Sequence, residues 1–205
     1  MSELPGAFVA TVPTDTFVLA SSFIHEFHHN TLFAIEERGP FFANSEEDVV
    51  EGENHYSPWV QTLRPLHGIL HAVYVFQPVF RFWAAALREG SPQDMRLGFA
   101  REQIARAPVQ LQMGINQLRR HGALTPFGKE IVDALAAEAA EIKQESDALG
   151  AKLDTPVISL TTSGTLRPLT RDGRAVTVRE SLLRHLEVSD INHECEAEKE
   201  QIAVA

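Results

Sequence analysis

The sequence predicts a mainly α protein: a single helical domain with a metal site between two central helices, and a small β/loop appendix at the C-terminus. Three observations lead to this. Apolar residues recur at helical spacing through most of the chain, and capping and breaking residues punctuate them at regular intervals. Short alternating runs with turn residues begin only after Asp154-Thr155-Pro156. A length of 205 residues suits one well-filled core and is short for two full-sized domains. We therefore place a helical metal-binding unit at 1–154 and the appendix at 155–205.

Taken in order, Met1 to Pro13 reads as an extended segment, with a strand over 7–12. Thr14 or Asp15 caps a first helix that runs to about Arg38, where Gly39-Pro40 stops it. Phe17, Ala20, Ile24, Phe27, Thr31 and Ile35 are its expected buried stripe, with His25 and His29 on an adjoining strip beside Ser22 and Leu32. The acidic stretch from Phe41 to Tyr56 reads as a surface loop or lid. A second helix starts near Ser57-Pro58 or Pro65 and continues towards Arg88. It is apolar almost all round, from Ile69 through Val73, Phe76 and Phe80 to Trp83, which predicts deep burial.

Ser91-Pro92-Gln93-Asp94 is a helix start, and that third helix extends to about Gly122 with Pro108 as a kink or break. Thr125-Pro126 opens a fourth, reaching roughly Ala148. In the appendix, 157–160 and 166–169 read as strands and Arg171-Asp172-Gly173-Arg174 as a turn. Thr177-Val178-Arg179-Glu180 is a capping box for a last helix through His185, and the acidic end from Glu187 is expected to be loosely ordered.

Composition narrows the function. The formal charge of −10 argues against general nucleic-acid binding, which needs a basic surface. The one cysteine, Cys195, excludes an internal disulfide and a cysteine-rich zinc site; beside His193, Glu194 and Glu196 it reads as a plain tail cysteine. No apolar run approaches the ~20 residues of a membrane span, and no basic, apolar signal peptide opens the chain. The expected location is the cytoplasm.

The run His25-Glu26-Phe27-His28-His29 carries the chemistry. Two histidines four apart on a helix present both imidazoles on one face, where they can bind one ion. The glutamate after the first histidine is placed as in zinc metallopeptidases, where it activates a metal-bound water. The plain alternative is a surface histidine cluster, and three histidines in five residues of an otherwise apolar helix weigh against it. His28 points round the helix from the other two. In the second helix Arg64, His67, His71 and Tyr74 fall at steps of three, four and three and share a face. His71 is the favoured third ligand; His67, His55 or a carboxylate from Glu46 to Glu53 stay open, as does a simple core histidine. Arg64 suits a carboxylate bound beside the metal, because guanidinium pairs with carboxylate in two parallel bonds. An ion pair with the preceding loop is its plain alternative.

The segments Phe23-Ile24-His25-Glu26-Phe27-His28-His29, Tyr56-Ser57-Pro58-Trp59 and Arg64-Pro65-Leu66-His67-Gly68-Ile69-Leu70-His71-Ala72-Val73-Tyr74 resemble the HExxH-type peptide-modification proteins of ribosomal peptide natural-product pathways, described as 2-oxoglutarate-dependent peptide β-hydroxylases. The resemblance spans about Gly6 to Gly128, including Leu124-Thr125-Pro126-Phe127-Gly128, and leaves the appendix unmatched. It implies a mononuclear Fe(II) site that takes 2-oxoglutarate and dioxygen and hydroxylates a β-carbon of a precursor peptide. By position His25 and His29 would be iron ligands and His71 the third. Arg64, with Tyr74 on the same face, would bind the cosubstrate. Glu26 would lose its hydrolytic role. Non-haem iron oxygenases commonly use two histidines and a carboxylate, so a third histidine would depart from that pattern. Two other expectations stand beside this one: a zinc metallopeptidase with Glu26 as general base, and a non-enzymatic module that only presents a peptide.

Overall fold

The computed structural model describes residues 15–43, 55–60, 62–90, 95–160, 166–188, 199 and 202–203. The protein is mainly α. Its elements are α1 (Thr16–Glu36), β1 (His55–Ser57), β2 (Thr62–Arg64), α2 (Leu66–Glu89), α3 (Met95–His121), α4 (Pro126–Ala148), β3 (Ile158–Leu160), β4 (Leu166–Pro168), β5 (Thr170–Arg171), β6 (Arg174–Ala175) and α5 (Val178–Val188). The expected strand at 7–12, the acidic loop, the Ser91 cap and Cys195 lie outside the described residues.

The helix ends follow local chemistry. Asp15 accepts hydrogen bonds from the N–H groups of Phe17 and Val18 at 2.9 and 3.0 Å, filling two of the donors a first turn leaves open. Thr125 does the same for Gly128 at 2.9 Å, with Pro126 in the first helical position. The second helix begins after Pro65, not Ser57: Ser57 belongs to β1, which pairs antiparallel with β2 and matches His55 with Arg64. Pro108 does not end α3. A proline frees the carbonyl four residues earlier, here that of Ile104, and the buried Ser146 hydroxyl of α4 donates to it at 3.0 Å.

α1 and α2 run antiparallel, with Phe17 against Phe82, His25 against Phe76 and His29 against His71. α2 packs most extensively on α3, and α4 packs on the other side of the bundle against α3 and, less, against α2. Leu32, Ile69, Leu70, Val73, Phe80, Trp83, Ile104, Leu111, Ile115 and Ile142 form the main core between these four helices. α1 keeps Phe17, Ile24 and Ile35 of the expected stripe against this core but is turned enough to bring Leu32 to its centre. Leu32 is its one fully buried residue and Phe27 is 66% exposed, because a helix apolar on most sides offers more than one face to bury. The turn brings the histidine strip towards α2.

The hairpin β1–β2 is tied to α3 by two buried glutamines a double turn apart. Gln117 donates to the Tyr56 carbonyl at 2.7 Å and Gln110 to that of Pro58 at 2.9 Å. This holds Trp59, in the hairpin turn, stacked on Phe76.

The appendix lies on another face of α3. Ala105 and Met113 share a second cluster with Leu153, Val157, Val176, Val178, Leu182 and Leu186. Asp172 and Gly173 both have positive φ, 50° and 79°, as a tight two-residue hairpin turn needs, and they join β5 to β6. The capping box forms as expected: Thr177 N–H donates to Glu180 at 3.1 Å, and Glu180 N–H to the Thr177 hydroxyl at 3.2 Å. The last helix runs past its expected end at His185, while most of the acidic end from Glu187 lies outside the described residues. α5 continues to Val188, and Ile202 is fully buried in the second cluster, its carbonyl accepting from Arg179. Among the described residues no helix is long and apolar enough to cross a membrane.

Candidate metal centre

Two pairs of histidines at helical spacing of four face one another across the α1–α2 contact, joined by a carboxylate two turns along α1. Glu36, His67 and His71 each offer one ligand atom, and these atoms lie within 4.8 Å of one another. His67 Nε2 donates to Glu36 Oε1 at 2.5 Å through a proton that would move to Nδ1 when this nitrogen ligates an ion, and His71 Nε2 stands 3.5 Å from the same oxygen. The His67 and His71 rings lie on successive turns of α2, with centroids 4.4 Å apart. This group can hold a metal ion.

The fit is supported by an unpartnered atom. His71 is 5% exposed, and its Nε2 has no hydrogen-bond partner. At 3.5 Å from Glu36 Oε1 it makes at most a long, weak contact, outside the usual N–H···O range. A buried polar atom without a partner costs about 1–3 kcal/mol, which an ion among these three donors would relieve. Glu36 is ready for that role. Burial alone would raise its pKa, but the hydrogen bond from His67 and the neighbouring His71 hold it down at about 2, so the carboxylate is ionised at neutral pH.

The pair His25 and His29 adjoins this group without joining it. His29 meets His25 through Nε2 at 3.1 Å, and meets His71 through Nδ1, Nδ1 to Nδ1, at 3.0 Å. These are the two different nitrogens of one ring, so His25, His29 and His71 do not converge on a single point. Two nitrogens at about 2.1 Å from one ion are separated by roughly 3.0–3.4 Å. The His25–His29 spacing therefore meets the requirement for a pair of ligands, taken by itself.

Glu26 Oε1 lies 4.0 Å from His25 Nε2, and burial raises its pKa above the ordinary range. His28 donates from Nδ1 to the Ile24 carbonyl at 2.8 Å, pointing away from the pair. Tyr74 packs beside His28, ring centroids 6.1 Å apart, and its pKa is raised by burial and by Glu138 of α4. Arg64 is exposed at the end of β2, its stem lying over Gly68 in the first turn of α2. Among the described residues it has no ion-pair partner. His55, one of the open third-ligand alternatives, is instead buried in β1 with its ring 4.6 Å from that of His121. The acids of 46–53 lie outside the described residues.

The residue that sequence reasoning missed is Glu36. A signal existed: it follows His29 by seven residues, two helical turns, and so shares the histidine strip.

Burial pushes the His29 pKa down to about 4, and His25 and His71 add to the effect; His25 is also lowered by burial. Both rings are therefore neutral at neutral pH. The unfolded chain would protonate His29 near 6.5, whereas the folded chain does so only near 4. In the metal-free protein this contribution to stability is complete above 6.5. It falls as pH drops from 6.5 towards 4. Urea titrations across that window should show stability declining, with a shallower decline in His29→Asn. An equal slope in the two proteins would remove His29 as its source.

A scan against protein-family models and a search of curated proteins both returned no match to this chain.

Proposed function

We propose that the chain is a cytoplasmic non-haem iron enzyme that uses 2-oxoglutarate and dioxygen to hydroxylate a β-carbon of a ribosomally made precursor peptide. The observation that carries the reading is the convergence of Glu36, His67 and the unpartnered Nε2 of His71. Two histidines and one carboxylate, leaving other positions open, are the ligand set of non-haem iron oxygenases. Bound there, ferrous iron would supply the reaction of dioxygen with 2-oxoglutarate, one oxygen atom ending in succinate as carbon dioxide leaves and the other in the hydroxylated peptide.

The chain's own residues would bind and orient. Glu36 brings a negative charge, and the two imidazoles bring neutral donors. Arg64, charged and exposed at the end of β2, would hold the distal carboxylate of the cosubstrate. Phe33 packs its ring 4.9 Å from that of His71. The resemblance of the His25, Trp59 and Arg64–Tyr74 segments to peptide β-hydroxylases supports the substrate class, although the ligand set it implies, His25, His29 and His71, shares only His71 with the group that converges here.

Anaerobic addition of ferrous iron and 2-oxoglutarate tests this directly. A visible charge-transfer band that needs both components, and is lost in His67→Ala, is the expected result. No band, with zinc tightly bound in the purified protein, would favour a zinc peptidase instead. The placement of Glu26 beside His25, with its raised pKa, is the observation on that side. In that case Glu26→Gln would abolish peptide cleavage and keep the metal.

A further inference from the structure

The contact between His29 and His71 decides which donors can serve an ion at the same time. A neutral imidazole carries one N–H and one lone pair, so fixing the proton on one nitrogen fixes the other. The rings of His29 and His71 are 23° from coplanar with centroids 5.2 Å apart. That places the N–H of one and the lone pair of the other, both in the ring planes, along the 3.0 Å line between the Nδ1 atoms. One of the two must donate.

If His71 Nδ1–H donates, His71 Nε2 is a lone pair facing Glu36 and His67. His29 then accepts at Nδ1, carries its proton on Nε2, and donates it to His25 Nε2 at 3.1 Å. If His29 Nδ1–H donates instead, its Nε2 is free to ligate beside His25. His71 then carries its proton on Nε2 and is lost as a ligand. A ligating histidine ordinarily has its second nitrogen held by a partner that sets its tautomer. In this protein that partner is another imidazole.

We infer that His29 is a positioning residue and not a ligand: it accepts the Nδ1–H of His71, so that Glu36, His67 and His71 take one ion and the His25–His29 pair takes none while that ion is bound. The inference rests on the metal site of the reading above, but not on iron, 2-oxoglutarate or catalysis.

Zinc titration by calorimetry on the full chain tests it, with His29→Asn as the decisive variant. Asparagine places a carbonyl oxygen near the position of His Nδ1, where it can accept from His71, and has no atom at Nε2. Wild type should take one zinc per chain. His29→Asn and His25→Ala should bind within a few-fold of wild type. His29→Ala should be weaker by roughly 10–100-fold, the usual cost of removing a partner behind a ligand. In zinc-loaded wild type, long-range nitrogen–proton NMR spectra should find the His71 proton on Nδ1 and the His29 proton on Nε2.

Two zinc ions per chain, or His29→Asn as damaged as His29→Ala, would overturn the inference and leave the oxygenase reading standing. So would a His71 proton found on Nε2. No zinc uptake by folded wild type would overturn both. A missing iron–2-oxoglutarate band, with the zinc results as expected, would overturn the oxygenase reading alone.

Discussion

Glu36→Ala is expected to reduce affinity for ferrous iron or zinc by more than 100-fold, exceeding the roughly 10–100-fold typical of a residue behind a ligand. The change removes the one carboxylate among three donors, and with it the charge that offsets the ion's own. It also leaves His67 without the acceptor that its Nε2 holds at 2.5 Å. Glu36→Gln separates these effects. The amide oxygen can still accept from His67, so the fold is retained, while the negative charge is gone. Metal content after dialysis against limiting zinc, read beside the melting temperature, distinguishes the two losses. Full metal retention in both variants, with the fold intact, would move the ion to His25 and His29.

The second large effect concerns the fold that holds Glu36 in place. Gly128→Ala is expected to destabilise the protein by about 3 kcal/mol or more, the upper end of the usual cost of overpacking. A Cβ on Gly128 would stand 1.9 Å from the Phe41 carbonyl oxygen and 2.7 Å from its carbon. That backbone has little room to retreat. The Phe41 carbonyl accepts from Thr125 N–H at 3.0 Å, the Thr125 hydroxyl donates to the Pro40 carbonyl at 2.7 Å, and Ala43 N–H donates to that of Ala123 at 2.7 Å. These bonds join the chain leaving α1 to the turn between α3 and α4. For a protein of this size the loss corresponds to a fall in Tm on the order of 10 °C. A melting curve within a degree or two of wild type would mean that the 40–43 segment can shift as a unit.

Much of the site was visible along the chain because part of it is local. His25 with His29, and His67 with His71, are each four apart, and helix geometry alone puts each pair on one face. The fourth helix, its Thr125 cap, the Asp172-Gly173 turn and the capping box of α5 were legible for the same reason: each is decided by residues within a turn of one another.

The rest depends on how α1 sits on α2. Local periodicity favoured a stripe through Phe27, because α1 is apolar on most sides and several rotations bury comparable area. Tertiary packing kept Phe17, Ile24 and Ile35 of that stripe at the core but centred the contact on Leu32, which left Phe27 exposed and set His25, His29 and Glu36 towards α2. The bonds that build the metal group and hold His71 beside it link residues 31 and 42 positions apart, Glu36 with His67 and His29 with His71. No pattern within one helix encodes such pairings. What the sequence determined by itself is the helices, most of their ends and the two histidine pairs, since those follow from short-range sterics and hydrogen bonding. Which donors meet, and which nitrogen of each ring faces which partner, was decided only by tertiary packing, because ligand convergence depends on the rotation and register of two helices that local spacing leaves free.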